Sequence, residues 1–185
     1  MKNTYLIGYF PLIAIMLFSL SFAIYGEMQA LILFKSIGIY NGMLEFFSET
    51  GIKMALLIVM FLIFFMILAA LKLMSDTIIE LSLLFFSKDS EGEVLKQIRM
   101  GAVIYFVGGA ISLFFIFSII GILFVFAGTS LAAFIYFVYK ISPSLSNPGL
   151  VGLIFFHTFV WSCLFLTVGY SLIKLYNSIV ASLPI

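Results

Sequence analysis

Composition alone narrows the class of this 185-residue chain. Its residues are 64% hydrophobic, 18% aromatic and only 9% charged, with nine Lys and Arg against eight Asp and Glu, and its mean hydropathy is +1.30. A soluble domain carries about 25% charged residues, so the charges here are too few to cover a surface that faces water. This excludes a soluble enzyme, a nucleic-acid binder and a disordered chain. The single cysteine, Cys163, excludes a disulfide framework or a Cys-based metal cluster.

Charge-free runs predict the membrane spans, because a spanning helix needs about 20 largely apolar residues. The runs cover residues 3–26, 54–71, 100–139 and 141–173. The third run is long enough for two spans, with Ser118 and Gly121 as the only turn formers near its middle. We therefore predict an all-α polytopic transmembrane bundle with short interfacial helices, built as one domain over 1–185. Its five spans are predicted at about 5–26, 54–74, 100–117, 120–139 and 150–173, with an inner loop at 75–99.

The distribution of Lys and Arg predicts how the chain is oriented. With the N-terminus inside, the inner segments hold six basic residues and the outer segments three. The inner set is Lys2, Lys72, Lys88, Lys96, Arg99 and Lys140, and the outer set is Lys35, Lys53 and Lys174. This favours a cytoplasmic N-terminus and an external C-terminus. The N-terminal segment has features of a signal peptide: Lys2, an apolar run and small residues around Phe22. We nevertheless predict an uncleaved span, because Pro11 interrupts the segment and the run is long for a signal peptide.

Residues 27–53 are too polar to span and more apolar than an ordinary loop. Asn41-Gly42 and Gly51 indicate breaks, and residues 43–49 between them mix apolar and acidic side chains, which is typical of a short helix in the outer interface. A re-entrant segment over residues 28–34 is the alternative.

The inner loop carries a charged face at Lys72, Asp76 and Glu80. These residues are spaced i, i+4 and i+8, so they share one side of a helix that continues past the membrane or bends along its inner surface. A solvated face in the headgroup region is the simpler interpretation, and a docking or ion-coupling face is the functional one. Further on, Ser90 and Glu93 have the spacing of a capping box and predict the start of the third spanning helix.

Small residues mark candidate helix contacts, because helices in lipid associate through close packing. In each of the third and fourth predicted spans, three small residues recur at spacings of seven and then four. Each set forms a stripe along one face of its helix, so we predict that the two helices pack with these stripes in contact. These candidate packing residues are Gly101, Gly108 and Ser112, followed by Gly121, Gly128 and Ala132.

His157 is the one ionisable side chain that falls deep in a predicted span, which makes it a candidate intramembrane polar site. A proton relay or a metal site would require partners, and no second histidine exists. We therefore expect a neutral imidazole bonded to a backbone carbonyl or to a Ser or Thr hydroxyl. No catalytic motif or phosphate-binding loop is present, so no catalytic residue, cofactor or metal is predicted.

Several motifs resemble those of the YufK-like family of multi-spanning membrane proteins from Bacillus-type bacteria. They are the opening Met1-Lys2-Asn3-Thr4-Tyr5 with Gly8-Tyr9-Phe10-Pro11, the stretch Glu80-Leu81-Ser82-Leu83-Leu84-Phe85-Phe86-Ser87, and the end Lys174-Leu175-Tyr176-Asn177-Ser178 with Ala181-Ser182-Leu183-Pro184. The resemblance runs the whole chain and implies a single-domain protein of the bacterial plasma membrane. It supplies no catalytic or binding residue.

The functional expectation is a non-catalytic accessory or interaction subunit of the plasma membrane. Its partners would be the lipid bilayer and another membrane protein or a second copy of the chain, and not nucleic acid. The alternative is a small transporter or permeability factor for a hydrophobic or lipid-like cargo, although coupled ion transport normally uses intramembrane carboxylates.

Overall fold

The computed structural model describes residues 4–87 and 98–182, and within these ranges the chain is helical and has no β-strand. The helices are α1 (Thr4–Ser36), α2 (Ile39–Leu44), α3 (Glu49–Phe86), α4 (Ala102–Ser112), α5 (Ile119–Ile141) and α6 (Asn147–Ser182), with short 3₁₀ turns at Arg99–Gly101, Leu113–Phe115 and Ser142–Ser144. The prediction of an all-α fold is confirmed.

Four helical segments are long and apolar enough to cross a membrane: Gly8–Ser36, Glu49–Phe86, Ile119–Ser144 and Asn147–Ser182. The predicted span at 100–117 falls on Arg99–Phe115, a shorter apolar helical segment. The polytopic helical class is therefore confirmed, while the count of five spans and the single domain stay predictions. Residues 75–86 of the predicted inner loop continue α3 as helix. The proposed capping box at Ser90 and Glu93 lies outside the described residues.

A serine hydroxyl caps the N-terminus of three of the helices in the same way. Ser48, Ser118 and Ser146 precede α3, α5 and α6, and each hydroxyl accepts a hydrogen bond from the amide three residues later, on Gly51, Gly121 and Gly149, at 3.1 to 3.2 Å. These bonds satisfy amides that the helix itself leaves without a partner. Gly121 thus lies in the first turn of α5, and the connection from α4 ends at Ser118.

The connection between α1 and α3 differs from the prediction for residues 27–53. The predicted break at Asn41-Gly42 is wrong, because both residues lie within α2. The chain turns instead at Gly38, which has φ of 77° and is the only residue with positive φ in the described ranges. A side chain at that position would be strained, and the sequence pattern alone did not distinguish Gly38 from the other glycines. The short helix therefore lies earlier than 43–49, and Gly51 lies inside the first turn of α3.

The described residues form two compact units. The first contains residues 4–74 and 98–141, and its core is built on the buried side chains Phe18, Phe22, Leu68 and Ile122. Phe18 meets Phe126 edge to face with ring centroids 5.2 Å apart. Such aromatic pairs add to the stabilisation that burial gives, so these rings hold α1 and α5 together in this unit.

α4 lies in the same unit and packs against both α1 and α5. Towards α1, the hydroxyls of Ser21 and Ser112 are 2.7 Å apart and buried, and either one is placed to donate to the other. Each hydroxyl oxygen also lies within 3.1 Å of a carbonyl oxygen of its own helix. Gly109 lets Leu17 approach, since a Cβ there would be 3.0 Å from the Leu17 Cβ. Small and hydroxylated residues thus bring α1 and α4 into close contact, as expected where lipid supplies no hydrophobic drive.

The second unit contains the described residues 75–87 and 142–182. Here the end of α3 packs against the first half of α6. The rings of Phe85 and Phe86 lie 6.1 and 6.2 Å from the ring of Phe156. Gly152 makes room for Phe86, because a Cβ at that glycine would be 2.6 Å from the Phe86 Cε1. This contact positions the candidate site described next.

Candidate functional site

His157 forms a buried polar pair with Ser82 inside the second unit. Its side chain is 4% exposed, Ser82 is fully buried, and the imidazole Nε2 lies 3.1 Å from the Ser82 Oγ. The Ser82 hydroxyl donates to the carbonyl of Ile79 at 2.8 Å. Because the single hydroxyl proton is directed at that carbonyl, the Ser82 oxygen is placed to accept from Nε2–H. The geometry therefore fits an imidazole that carries a proton on Nε2.

Aromatic rings adjoin this pair. The Phe156 ring meets the His157 ring edge to face at 6.4 Å, and Phe156 in turn contacts Phe85 and Phe86. A hydrogen-bonded imidazole in such a setting holds two helices in one register, since leaving either polar group unpaired in an apolar interior is costly. Within residues 4–87 and 98–182 no group of three or more His, Cys, Asp or Glu side chains could hold a metal ion.

The predicted charged face lies on α3. Lys72 and Asp76 are half-buried and Glu80 is exposed. Neighbouring apolar side chains on the same helix are highly exposed, with Leu73 at 70% and Leu84 at 75%. The structure thus places the three charged residues on successive turns of α3, among mostly apolar side chains. Their role as an interaction face stays a prediction.

The predicted packing residues Gly101, Gly108 and Ser112 all lie in contacts inside the first unit, whereas of those on α5 only Gly121 does. Gly108 faces Thr129, with a Cβ at Gly108 falling 2.9 Å from the Thr129 Cβ, and Gly101 faces the Tyr136 ring at 3.4 Å. Ser112 contacts Ser21 of α1, as described above. On α5, a Cβ at Gly128 would meet nothing within 4 Å and Ala132 is exposed, while Gly121 faces Phe115 across the turn. At the buried contact between α4 and α5, Gly108 therefore packs against Thr129 and not against a small residue of α5.

Sequence reasoning did not single out Ser82, Ser21 or Thr129 as contact residues. Each lies within a largely apolar stretch of the chain, where hydroxyl side chains commonly form polar contacts between spanning helices. Ser82 is 75 residues from His157 and Ser21 is 91 residues from Ser112. The pattern could have marked the hydroxyls as candidates, but their partners depend on which helices are neighbours. Cys163, the single thiol, is exposed on α6.

Long apolar helices, with buried hydroxyl and imidazole groups paired across helix contacts, define a polytopic helical membrane protein. Residues 27–184 match the family described as a family of unknown function, DUF5366. The chain is also 49% identical to the uncharacterized membrane protein YufK of Bacillus subtilis (strain 168), over 185 residues that cover 100% of both chains. The chain therefore belongs to this family, and the resemblance predicted from its motifs is confirmed. No solved structure matches it.

Proposed function

We propose that this protein is a non-catalytic subunit of the bacterial plasma membrane that acts through contacts with another membrane protein or with a second copy of itself. The observation that carries the proposal is the charged face on α3. Asp76 is half-buried and Glu80 exposed, one helical turn apart, beside the exposed apolar side chains of Leu84 and Phe85. Charge next to exposed apolar surface gives a partner both specificity and contact area.

The buried polar side chains support the same proposal. Ser21 bonds Ser112, and Ser82 bonds His157, so these groups join helices to each other. No buried side-chain nitrogen or oxygen in the described ranges lacks a hydrogen-bond partner. Polar groups satisfied in this way specify a fixed helix arrangement, which is what a subunit with a structural or regulatory role requires.

The test is affinity purification of the tagged full-length protein from its native membrane after mild solubilisation. Proteins and lipids that co-elute are then identified by mass spectrometry. We expect a stoichiometric protein partner, and we expect its recovery to fall when Asp76→Lys and Glu80→Lys reverse the charge of the face. Glu45→Lys is the matched control, since Glu45 is an exposed acid outside this face. Unchanged recovery with the doubly reversed variant would refute the proposed role of the face.

We also infer an orientation with the N-terminus in the cytoplasm and the C-terminus outside, on the basis of the six-to-three distribution of Lys and Arg. The test uses single cysteines introduced into a Cys163→Ser background. Ser178→Cys, which is exposed on α6, should react with a membrane-impermeant maleimide in intact cells. Labelling only after the membrane is opened would reverse the orientation.

A small transporter for a hydrophobic or lipid-like cargo is the second candidate. The observation that favours it is His157, a titratable side chain buried in an apolar helix, since such groups often lie on transport pathways. Here His157→Asn should abolish a transport phenotype while expression stays normal. Purified protein that carries a defined apolar molecule and no protein partner would support this candidate over the first.

A further inference from the structure

The hairpin formed by α4 and α5 has a basic end. Arg99 lies in the 3₁₀ turn that leads into α4, and Lys140 lies in the last turn of α5. The contact between Gly101 and the Tyr136 ring, at 3.4 Å from a Cβ built on the glycine, brings these two ends of the hairpin together. The Lys140 ammonium lies 5.8 Å from the centre of the same ring. Arg99 and Lys140 thus lie at the same end of the hairpin.

This basic end is not balanced by acids on its own hairpin. Residues 98–141 contain no Asp or Glu, so Arg99 and Lys140 are the only charged side chains in this stretch. Within the described ranges, neither side chain forms an ion pair with a carboxylate. Arg99 is exposed and Lys140 half-buried. An anion placed between them would therefore meet two cationic groups without a competing carboxylate from the hairpin.

An exposed apolar stripe leads away from the basic end along α5. Tyr139, Ile135 and Leu131 follow one another at intervals of four residues and are 72%, 60% and 60% exposed. Residues with this spacing lie on one face of a helix. The stripe begins next to Lys140 and extends towards the middle of the span, which is the direction that an acyl chain takes from a headgroup at the membrane surface.

We propose that Arg99 and Lys140 bind the phosphate of an anionic phospholipid, with an acyl chain along the stripe of Leu131, Ile135 and Tyr139. Free inorganic phosphate has the same charged chemistry and would use the same two cations. The stripe favours the lipid, because a free anion would gain nothing from it. Basic pockets beside spanning helices are known to recognise anionic headgroups in this way.

The test measures lipid binding by native mass spectrometry of the purified full-length protein, with dioleoyl phosphatidylglycerol and dioleoyl phosphatidylcholine as probes. We expect the wild type to prefer phosphatidylglycerol. Arg99→Gln with Lys140→Gln should weaken phosphatidylglycerol binding about 25-fold, from about fivefold for each cation near an anionic headgroup. Arg99→Lys with Lys140→Arg keeps both charges and should bind within a few-fold of the wild type. Lys174→Gln removes an exposed cation from α6 and should leave binding unchanged.

Three results would overturn the proposal: equal binding of the two lipids by the wild type, an equal loss in the Lys174→Gln control, or displacement of phosphatidylglycerol by millimolar inorganic phosphate. The last result would assign the site to the free anion. A photoactivatable phosphatidylglycerol on the wild-type protein gives a second measurement that does not depend on the folding of a variant. We expect its cross-links on residues 98–141, and cross-links confined to residues 142–182 would also refute the site.

Discussion

Adding one methyl group at Gly108 tests the contact between α4 and α5. In the structure, a Cβ at this position would be 2.9 Å from the Thr129 Cβ and 2.6 Å from its Cγ2. A rotation of the Thr129 side chain can move Cγ2 but not Cβ, which is fixed to the backbone of α5. Because ordinary van der Waals contact begins near 3.4 Å, the two helices must separate by about half an ångström to accept Gly108→Ala.

The expected cost follows from this displacement. Overpacking a well-packed contact costs about 1–3 kcal/mol, and the better helix propensity of alanine offsets up to about 1 kcal/mol of it. We therefore expect Gly108→Ala to lower the free energy of unfolding by about 1–2 kcal/mol. For a chain of this size, the thermal midpoint should fall by about 2–8 °C. The assay is thermal unfolding of the purified protein in detergent, followed by circular dichroism.

Gly128→Ala is the matched control, one residue before Thr129 on α5. A Cβ there meets nothing within 4 Å, so alanine should leave the midpoint unchanged or raise it slightly. A double-mutant cycle adds the second test: in Gly108→Ala with Thr129→Gly the methyl group has room, and the two changes should couple by about 1–2 kcal/mol. Equal shifts for Gly108→Ala and Gly128→Ala, or strictly additive effects in the cycle, would refute the contact.

Three further predictions concern other positions and use the same unfolding assay. Gly38→Ala should destabilise the protein by about 1 kcal/mol, because the φ of Gly38 is 77°. Gly38→Asn should destabilise it less, and equal destabilisation by the two variants would contradict the left-handed conformation of this turn. Ser21→Ala and Ser112→Ala should each lower the free energy of unfolding by about 0.5–1 kcal/mol, and the double variant should lower it by less than their sum. If the two effects simply add, the hydroxyls do not interact. His157→Phe and Ser82→Ala should couple by about 0.5–1.5 kcal/mol, and the absence of coupling would mean that the two side chains do not interact.

The class of fold was predictable because it depends on composition and on the length of apolar runs. The helices α1, α3, α5 and α6 each overlap one of the charge-free runs. The boundaries were less predictable where a local interaction decided them. α1 continues to Ser36, ten residues beyond the predicted span, because nothing breaks the helix before Gly38.

The contacts between helices could not be predicted, since they depend on which faces meet. The small-residue spacing marked Gly108, which lies close to Thr129, and equally Gly128, which is exposed. A stripe of small residues does not say whether lipid or another helix covers it. For His157 the expected kind of partner, a Ser or Thr hydroxyl or a carbonyl, agrees with the observed bond to Ser82. The sequence did not indicate which hydroxyl bonds His157, because that depends on how α3 packs against α6.

The serine that begins α5 has a consequence for the interior of the protein. Ser118 lies at an exposed turn and bonds the amide of Gly121, which sets the residue at which the helix starts. Thr129 follows eleven residues later along a rigid helix. With the turn after α4 held in place, a start one residue earlier or later would turn Thr129 by about 100° and move it by about 1.5 Å along the axis, away from Gly108. The Ser118 hydroxyl at the start of α5 therefore helps to determine which face of the helix Thr129 occupies, three turns away.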